Sequence, residues 1–263
     1  MTTVKDVFEY LNEFAPCERK MDFDNVGFLV GTQNTEVKKI LVALDVTDEV
    51  IDEAVEKNAQ LIVSHHPMFF SLKTVNDTEP VGRKITKLLS NGISAICMHT
   101  NLDGADGGVN DALANVLDIL DTELISVEGT DKNGIDYSYG RIGHLSREYD
   151  MSEFLPLVKE KLRTSGLRYY SAEKAVYKIA VVGGSGGSYL GDAIAQGCDT
   201  LLTADIKYDV FLSAKEAGIN IIDADHFCTE NTVVPVLQNR LSKKFENLSV
   251  IVSERHKQTV NFL

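Results

Sequence analysis

The stretch Leu61-Ile62-Val63-Ser64-His65-His66-Pro67 carries the strongest signal for the fold of this chain. Its first residues are apolar and indicate a short buried strand. Proline has no N–H and cannot continue a central strand, so the chain must turn at the two histidines. At such a turn both imidazoles can point into one space beyond the strand end, where open α/β sheets bind their ligands. Two adjacent imidazoles favour a divalent metal ion, although two solvated histidines at a strand end are an equally good interpretation of this stretch alone.

Strands and helices alternate on both sides of this stretch. Residues 39–46 predict a strand, and Thr47 marks the start of a helix with a buried apolar face. A helix over 81–91 and a strand over 93–98 follow the histidines. Strand–helix–strand–helix–strand is the pattern of a parallel sheet covered by helices.

The same pattern returns in the second part of the chain. It begins with a less regular part, in which we predict helices over 106–117 and 151–162 and strands over 124–125 and 137–145. After it, strands alternate with helices: the strands are predicted over 178–182, 200–203 and 219–223, and the helices over 189–196 and 206–217. Residues 58–66 match 197–205 in kind and order, and 92–96 match 218–222; the alternative is chance similarity of two α/β segments. We predict an α/β fold of duplicated strand–helix units, which form two related α/β halves with a metal cleft between them. The predicted halves are 1–125 and 126–263, packed as one compact unit without an inserted domain.

Composition narrows the class of protein. The 263 residues suffice for one large domain or two small ones, and 44% hydrophobic and 25% charged residues are usual for a globular protein. The formal net charge of -13 repels nucleic acid and anionic lipid, so we expect neither as a partner. No apolar run approaches about 18 residues, which argues against a membrane span. The four cysteines form no CxxC pair and fit reduced thiols, so we expect a cytoplasmic protein.

Five side chains near the predicted strand ends are candidate metal ligands: His65, His66, Asp103, His226 and Glu230. The last two are four residues apart, a spacing that places both on one helix face. Three imidazoles and two carboxylates exceed the needs of one tetrahedral ion. They suit two divalent ions about 3.5–4 Å apart with a bridging carboxylate. Nitrogen and oxygen ligands do not distinguish zinc, manganese, iron, nickel and cobalt.

Each carboxylate also has a structural interpretation. Asp103 could be a turn or cap residue, and Glu230 could serve the dipole at a helix start. Pro235 makes the start of that helix uncertain, because a proline inside a helix costs about 3 kcal/mol.

Other histidines and cysteines lie near these ligands in sequence. His99 is the candidate catalytic residue, orienting a metal ligand or a substrate; a structural histidine at a strand end is the alternative. Cys97 and Cys228 fit buried thiols better than soft metal ligands. His144 and His256 belong to no cluster in the sequence, so we expect them to be structural or solvated and expect His256→Ala to leave metal binding unchanged.

Four motifs together resemble a known family: Asp24-Asn25-Val26-Gly27, His65-His66-Pro67, His99-Thr100-Asn101-Leu102-Asp103 and His226-Phe227-Cys228-Thr229-Glu230. They resemble the GTP cyclohydrolase 1 type 2 homologues, also called Nif-three-like dinuclear-metal hexameric proteins, and the resemblance spans nearly the whole chain. It implies a duplicated α/β fold, two divalent ions per subunit and a ring-shaped homohexamer with metal sites facing its cavity. The family's metal ligands carry over onto His65, His66, Asp103, His226 and Glu230. The chain is similar to the short form of the family, without the extra domain.

Three functions are compatible with these residues. The first is a metal-dependent hydrolase of a purine nucleotide, in which metal-activated water attacks C8 of guanine and formate is lost. Gly183, Gly184 and Gly186 lie between a predicted strand and helix and could present N–H groups to a phosphate, or form a tight turn without a ligand. The second function is a non-enzymatic metal-binding or regulatory protein, and a weaker third is a metallophosphoesterase.

Overall fold

The computed structural model describes residues 1–263 and contains two compact units. The first consists of Met1–Ala105 and Val234–Lys257, and the second of Asp106–Val233 and Gln258–Leu263. The sequence instead predicts one boundary between the halves, at residue 125. In the structure the chain leaves the first unit earlier, before the helix predicted over 106–117. A C-terminal segment, Val234–Lys257, then returns to the first unit.

The first unit contains one five-stranded sheet together with the helices that precede, connect or follow its strands. Its elements are α1 (Val4–Phe14), β1 (Gly27–Val30), β2 (Lys39–Ala43), α2 (Asp48–Glu56), β3 (Leu61–Ser64), α3 (Pro80–Ser90), β4 (Ser94–Cys97), α4 (Thr100–Asp103), α10 (Val233–Lys244) and β13 (Ser249–Val252). The strand order is β1-β4-β3-β2-β13. All neighbours pair in parallel except β1, which is antiparallel to β4. The residues of β3 are buried, as expected for a central strand of a parallel sheet.

The second unit has a larger sheet of mixed direction. Its elements are α5 (Val109–Val116), β5 (Leu120–Leu124), β6 (Gly129–Thr130), β7 (Asp136–Tyr137), β8 (Arg141–Tyr149), α6 (Met151–Leu162), β9 (Arg168–Tyr170), β10 (Val176–Val181), α7 (Leu190–Ala195), β11 (Thr200–Thr203), α8 (Tyr208–Ala217), β12 (Asn220–Asp223) and α9 (His226–Glu230). The strand order is β5-β8-β10-β11-β12-β9, and β6 and β7 form a separate pair. Only β10, β11 and β12 pair in parallel.

The parallel centres of the two sheets have the same register, which confirms the duplicated α/β pattern. In the first unit Leu61 of β3 pairs with Ser94 of β4. In the second, Thr200 of β11 pairs with Asn220 of β12. These are the residues that the match of 58–66 with 197–205, and of 92–96 with 218–222, places at equivalent positions. The polar residues that follow these strands therefore occupy equivalent strand ends in both sheets.

Local signals explain where several helices begin and end. Thr47 caps α2, because its side chain accepts a hydrogen bond from the N–H of Val50. Gly218 ends α8 in the left-handed conformation, with φ of +66°. Pro235 lies in the first turn of α10, where its missing N–H would have no partner in the helix, so it does not disturb the separate helix α9.

Several strands were displaced or not predicted, and the strand predicted over 124–125 is found at Leu120–Leu124. The strand predicted over 137–145 is found at Arg141–Tyr149, and the edge strands β9 and β13 gave no recognised signal. Both edge strands are short, at three and four residues, and partly exposed, so their signal is weaker than that of the fully buried central strands. No helix of the structure combines the length and hydropathy that crossing a membrane requires.

Candidate metal sites

The two histidines after β3 lie at a sharp turn, as the sequence predicts. The N–H of His66 donates to the carbonyl of Leu44 (2.8 Å), one residue past β2, and the hydroxyl of Ser64 donates to the carbonyl of His66 (2.9 Å). These contacts direct the backbone out of the sheet before Pro67. The rings of His65 and His66 then lie 5.0 Å apart, centroid to centroid, so both point toward the same strand-end region.

Each of these rings is held through its Nδ1 atom. Nδ1 of the fully buried His65 donates to the carbonyl of Met98 (2.9 Å), and Nδ1 of His66 donates to Oδ1 of Asp45 (2.7 Å). Carbonyl and carboxylate oxygens only accept hydrogen bonds, so Nδ1 carries the ring proton in both cases. The lone pair of a neutral ring then resides on Nε2. A proton donated outward with Nε2 directed inward is the usual arrangement of metal-binding histidines.

Asp103 lies close to the lone pair of His65. Its Oδ1 is 3.7 Å from Nε2 of His65, which is too long for a hydrogen bond. Two ligands that each lie about 2.1 Å from one ion with tetrahedral geometry are roughly 3.4 Å apart. The carboxylate of Asp103 is only 15% exposed. The nitrogen and oxygen of this pair therefore fit a shared divalent cation.

His99 completes a cluster of three imidazoles in the first unit. Its ring centroid is 5.1 Å from that of His65 and 5.6 Å from that of His66. One ring nitrogen from each of the three lies within 4.8 Å of the others, close enough for one ion. His99 is thus as near to the two predicted ligands as they are to each other. His99 can therefore be interpreted in two ways: as a residue that orients a metal ligand or substrate, or as a metal ligand itself.

Asp24 fixes His99 in the same way that Asp45 fixes His66. Oδ1 of Asp24 accepts from Nδ1 of His99 (2.9 Å), and Oδ2 accepts from the N–H (3.0 Å) and the hydroxyl (2.5 Å) of Thr100. Burial acts to raise the pKa of Asp24, but the hydrogen bonds from His99 and Thr100 outweigh burial and lower the pKa to about 2. The side chain is completely buried and therefore stays a carboxylate. The motif Asp24-Asn25-Val26-Gly27 thus supplies the anchor of the third imidazole.

In the second unit His226 and Glu230 lie on one face of α9. Nε2 of His226 is 2.9 Å from Oε2 of Glu230, and Nδ1 is 2.7 Å from Oδ2 of Asp205. Helix α9 begins here because Oδ1 of Asp225 accepts a hydrogen bond from the N–H of Cys228 (3.0 Å). The predicted spacing of four residues therefore brings an imidazole and a buried carboxylate into contact.

The charges around His226 favour a cation. Burial alone would lower the pKa of this ring, but hydrogen bonds and charge from Glu230 and then Asp205 raise it to about 9. The ring therefore lies between two carboxylates that together stabilise positive charge. A divalent ion bound by Nε2 and Glu230 would replace the ring proton. The donor chemistry of this pair fits a metal ion.

The glycine-rich turn after β10 passes close to the side chain of Glu230. Gly184 has φ of +62°, and a Cβ atom built on it would lie 2.0 Å from Oε1 of Glu230 and 3.2 Å from Cε1 of His226. A Cβ atom on Gly183 would lie 2.7 Å from Cγ1 of Val109. Glycine at position 184 therefore leaves room for Glu230, because the backbone approaches the candidate ligands closely.

The N–H groups of this turn are used within the protein. Gly183 donates to Oδ1 of Asn110 (2.9 Å), Gly184 to the hydroxyl of Thr229 (3.1 Å), and Gly186 to the hydroxyl of Thr203 (2.8 Å). These three glycines were predicted to be candidate phosphate donors. Their observed hydrogen bonds favour the other interpretation, a tight turn without a phosphate, because each N–H already has an acceptor.

Both cysteines near the candidate ligands are buried thiols. Cys97 donates to the carbonyl of His65 (3.0 Å), and burial raises its pKa well above the ordinary value. Burial raises the pKa of Cys228 to about 12. Both shifts favour the neutral thiol over the thiolate in the metal-free protein.

The two remaining histidines have different environments. His144 pairs with Asp121 at the surface (2.8 Å), as expected for a solvated residue. His256 contacts Oδ2 of Asp45 through its Nε2 atom (2.9 Å), so the expectation that it belongs to no cluster is wrong. The sequence also did not reveal the roles of Asp24, Asp45 and Asp205. A signal existed for two of them, since Asp45 follows β2 and Asp205 follows β11 closely, as the histidines follow β3.

Comparison with known proteins identifies the family. A sequence model of Duf34/NIF3 (NGG1p interacting factor 3) matches residues 2–259. The chain belongs to the Duf34/NIF3 family. Its similarity extends to a GTP cyclohydrolase 1 type 2 homolog of Clostridium acetobutylicum, which is 36% identical over 260 residues and is covered to 96%, as is this chain. The corresponding Clostridium perfringens homolog is 35% identical over 265 residues, with 99% of both chains covered.

A solved structure shows the same fold in a Duf34/NIF3 relative. The crystal structure of a Bacillus cereus protein related to NIF3 superposes with a TM-score of 0.93 at 25% identity, over 100% of this chain and 99% of that one. The resemblance derived from the four motifs is therefore confirmed at the level of family and fold. The histidine and carboxylate groups described above are where this Duf34/NIF3 chain could bind a metal ion.

Proposed function

We propose that this Duf34/NIF3 chain binds two divalent metal ions and is a hydrolase that acts on a purine nucleotide. The proposed ligands are His65, His66, Asp103, His226 and Glu230. The observation that carries the proposal is shared by four histidines. In His65, His66, His99 and His226, Nδ1 contacts an oxygen acceptor. This repeated arrangement supports the proposal that Nε2 of each ring binds a metal ion or a reacting group.

Bound divalent ions would supply Lewis acidity, which polarises a substrate oxygen and lowers the pKa of water. The chain's own residues would orient the reacting groups. Asp24 holds the ring of His99 at 2.9 Å, so Nε2 of His99 is the atom that would take up or return a proton. His99 is therefore the proposed catalytic residue. No Ser-His-Asp or Cys-His set is evident in the sequence, which leaves activated water as the nucleophile.

The names of the relatives support the substrate class. Both clostridial relatives carry the name GTP cyclohydrolase 1 type 2 homolog. We therefore propose that water attacks C8 of the guanine ring and that cleavage of the C8–N9 bond opens the ring and leaves a formamide on N7. A second water would hydrolyse this formamide, which releases formate and leaves an amine at N7.

A second candidate, a non-enzymatic metal-binding or regulatory protein, is favoured by the charges around the histidines. The side chains that hold or face them are carboxylates: Asp24, Asp45, Asp103, Asp205 and Glu230. Carboxylates attract a cation but give no countercharge to a triphosphate. A metallophosphoesterase is the weaker alternative, since two adjacent ions would serve phosphate transfer as well.

Activity on GTP tests the proposal. Protein reloaded separately with zinc, manganese, iron(II), cobalt or nickel should release formate with one preferred ion, and a chelator should abolish the release. His99→Ala should lower kcat at least 100-fold while metal occupancy stays near that of the wild type, because general acid–base groups contribute about 10²–10⁴-fold. His144→Ala is the matched control and should retain activity, since His144 is paired with Asp121 at the surface.

Phosphate release measured in the same samples separates the alternatives. Phosphate without formate would favour the phosphoesterase. Fully metallated protein that releases neither product would contradict a hydrolase and favour the metal-binding or regulatory protein.

The resemblance also implies a homohexamer, and we include that assembly in the proposal. An acidic chain can associate through its uncharged patches. Light scattering that finds a monomer over a wide concentration range would remove the hexamer without affecting the metal ligands.

A further inference from the structure

The C-terminal segment of the first unit reaches the strand-end region of β2 and β3. Asp45 is shared between two imidazoles there. Its Oδ1 accepts from Nδ1 of His66 (2.7 Å), and its Oδ2 accepts from Nε2 of His256 (2.9 Å). The ring of His256 is 7% exposed, whereas Asp45 is 40% exposed. A carboxylate this open to water could rotate freely unless both oxygens were held.

A buried glutamate fixes the segment that carries His256. Glu53 of α2 is 2% exposed and accepts hydrogen bonds from three consecutive residues that follow β13. The donors are the hydroxyl of Ser253 (2.5 Å), the N–H of Glu254 (3.0 Å) and the N–H of Arg255 (3.2 Å). Burying a charged group is unfavourable unless it is fully hydrogen-bonded, so these three bonds are needed to keep Glu53 in place.

The anchored segment directs His256 at Asp45. The hydroxyl of Ser253, which donates to Glu53, also accepts from the N–H of His256 (3.1 Å). A continuous set of hydrogen bonds therefore runs from Glu53 through Ser253 and His256 to Asp45 and His66. It joins residues about 200 positions apart in the sequence.

We propose that His256 is a positioning residue for the metal ligand His66, which replaces the expectation from the sequence that losing its side chain leaves metal binding unchanged. By holding Oδ2 of Asp45, His256 fixes the carboxylate so that Oδ1 stays on Nδ1 of His66 and Nε2 of His66 faces the metal. The inference rests on the proposed function insofar as His66 must bind a metal ion. Loss of a side chain that hydrogen-bonds to a metal ligand, directly or through its acceptor, typically weakens metal binding 10–100-fold.

Two substitutions of different chemistry test the role of the hydrogen bond. In His256→Gln the amide nitrogen lies near the former Nε2 position and can still donate to Asp45. His256→Leu has similar bulk and no donor. We expect His256→Leu to weaken cobalt(II) binding about tenfold or more and to change the visible absorption of the bound cobalt. His256→Gln should bind within threefold of the wild type with an unchanged spectrum, and His144→Ala should match the wild type.

A double-mutant cycle shows whether His256 acts through Asp45. If it does, His256→Leu should add little to the loss caused by Asp45→Asn. Unchanged cobalt affinity and spectrum in His256→Leu, equal losses in the Leu and Gln variants, or fully additive losses in the cycle would each overturn the proposal. Wild-type protein that binds no cobalt would instead overturn the proposed function.

Discussion

Replacing Gly184 with alanine should weaken divalent-metal binding at least tenfold while the protein stays folded. The added Cβ atom would lie 2.0 Å from Oε1 of Glu230, a separation that non-bonded atoms do not tolerate. The carboxylate of Glu230 lies at the far end of a flexible side chain, so it should move and the backbone should not. The left-handed conformation at Gly184 costs an alanine about 1 kcal/mol, which is a modest loss of stability. The main effect should be displacement of a proposed metal ligand. We expect this to weaken metal binding at least as much as the loss of a side chain that hydrogen-bonds to a ligand.

Gly197 offers a matched control in the same unit. It has φ of +69°, and no heavy atom lies within 4 Å of a Cβ atom built on it. Gly197→Ala therefore carries the same backbone cost without reaching Glu230. Titration against a chromogenic chelator should place Gly197→Ala within threefold of the wild type. Equal metal affinity in the two alanine variants would show that Glu230 does not bind the ion.

Replacing Asp24 with alanine should lower the stability of the metal-free protein by about 3 kcal/mol. The substitution leaves the buried hydroxyl and N–H of Thr100 and the Nδ1 atom of His99 without their acceptor. Asp22→Ala is the control, since Asp22 is an exposed neighbour and surface substitutions usually change stability by less than about 0.5 kcal/mol. Urea unfolding at pH 7 should show the difference. Equal stability of the Asp24 and Asp22 variants would contradict the anchoring role.

The same substitution should show a defined dependence on pH. Because the pKa of Asp24 is lowered to about 2 from an ordinary value of 3.8, its ionised form stabilises the fold. That contribution is fully present above about pH 4 and is lost as the pH falls toward 2. The stability gap between the wild type and Asp24→Ala should therefore shrink in acid. A gap that stays constant from pH 7 to pH 2 would contradict the lowered pKa.

The parallel centre of each sheet was predictable because its signal is local. The short buried strands Leu61–Ser64 and Thr200–Thr203 are followed within two residues by a polar side chain, His65 or Asp205, and their equivalence was visible as a sequence match. The candidate ligands His65 and His66 could be found for the same reason, since they immediately follow a strand.

The second layer of the candidate sites depends on contacts between distant parts of the chain. Asp24 meets His99 across 75 positions, and His256 meets Asp45 across 211. No local pattern encodes such pairs, because they arise only when edge strands such as β13 join the sheet. The turn at Gly184 was interpreted through its N–H groups, whereas its close approach to Glu230 is visible only in three dimensions.

Anomalous diffraction from crystals of metal-loaded protein tests the central claim most directly. We expect two anomalous peaks per chain, each about 2.0–2.3 Å from its donor atoms. Together the donors should include Nε2 of the ligand histidines and the carboxylates of Asp103 and Glu230. A single peak per chain, or peaks away from these side chains, would contradict a centre of two ions built on His65, His66, Asp103, His226 and Glu230.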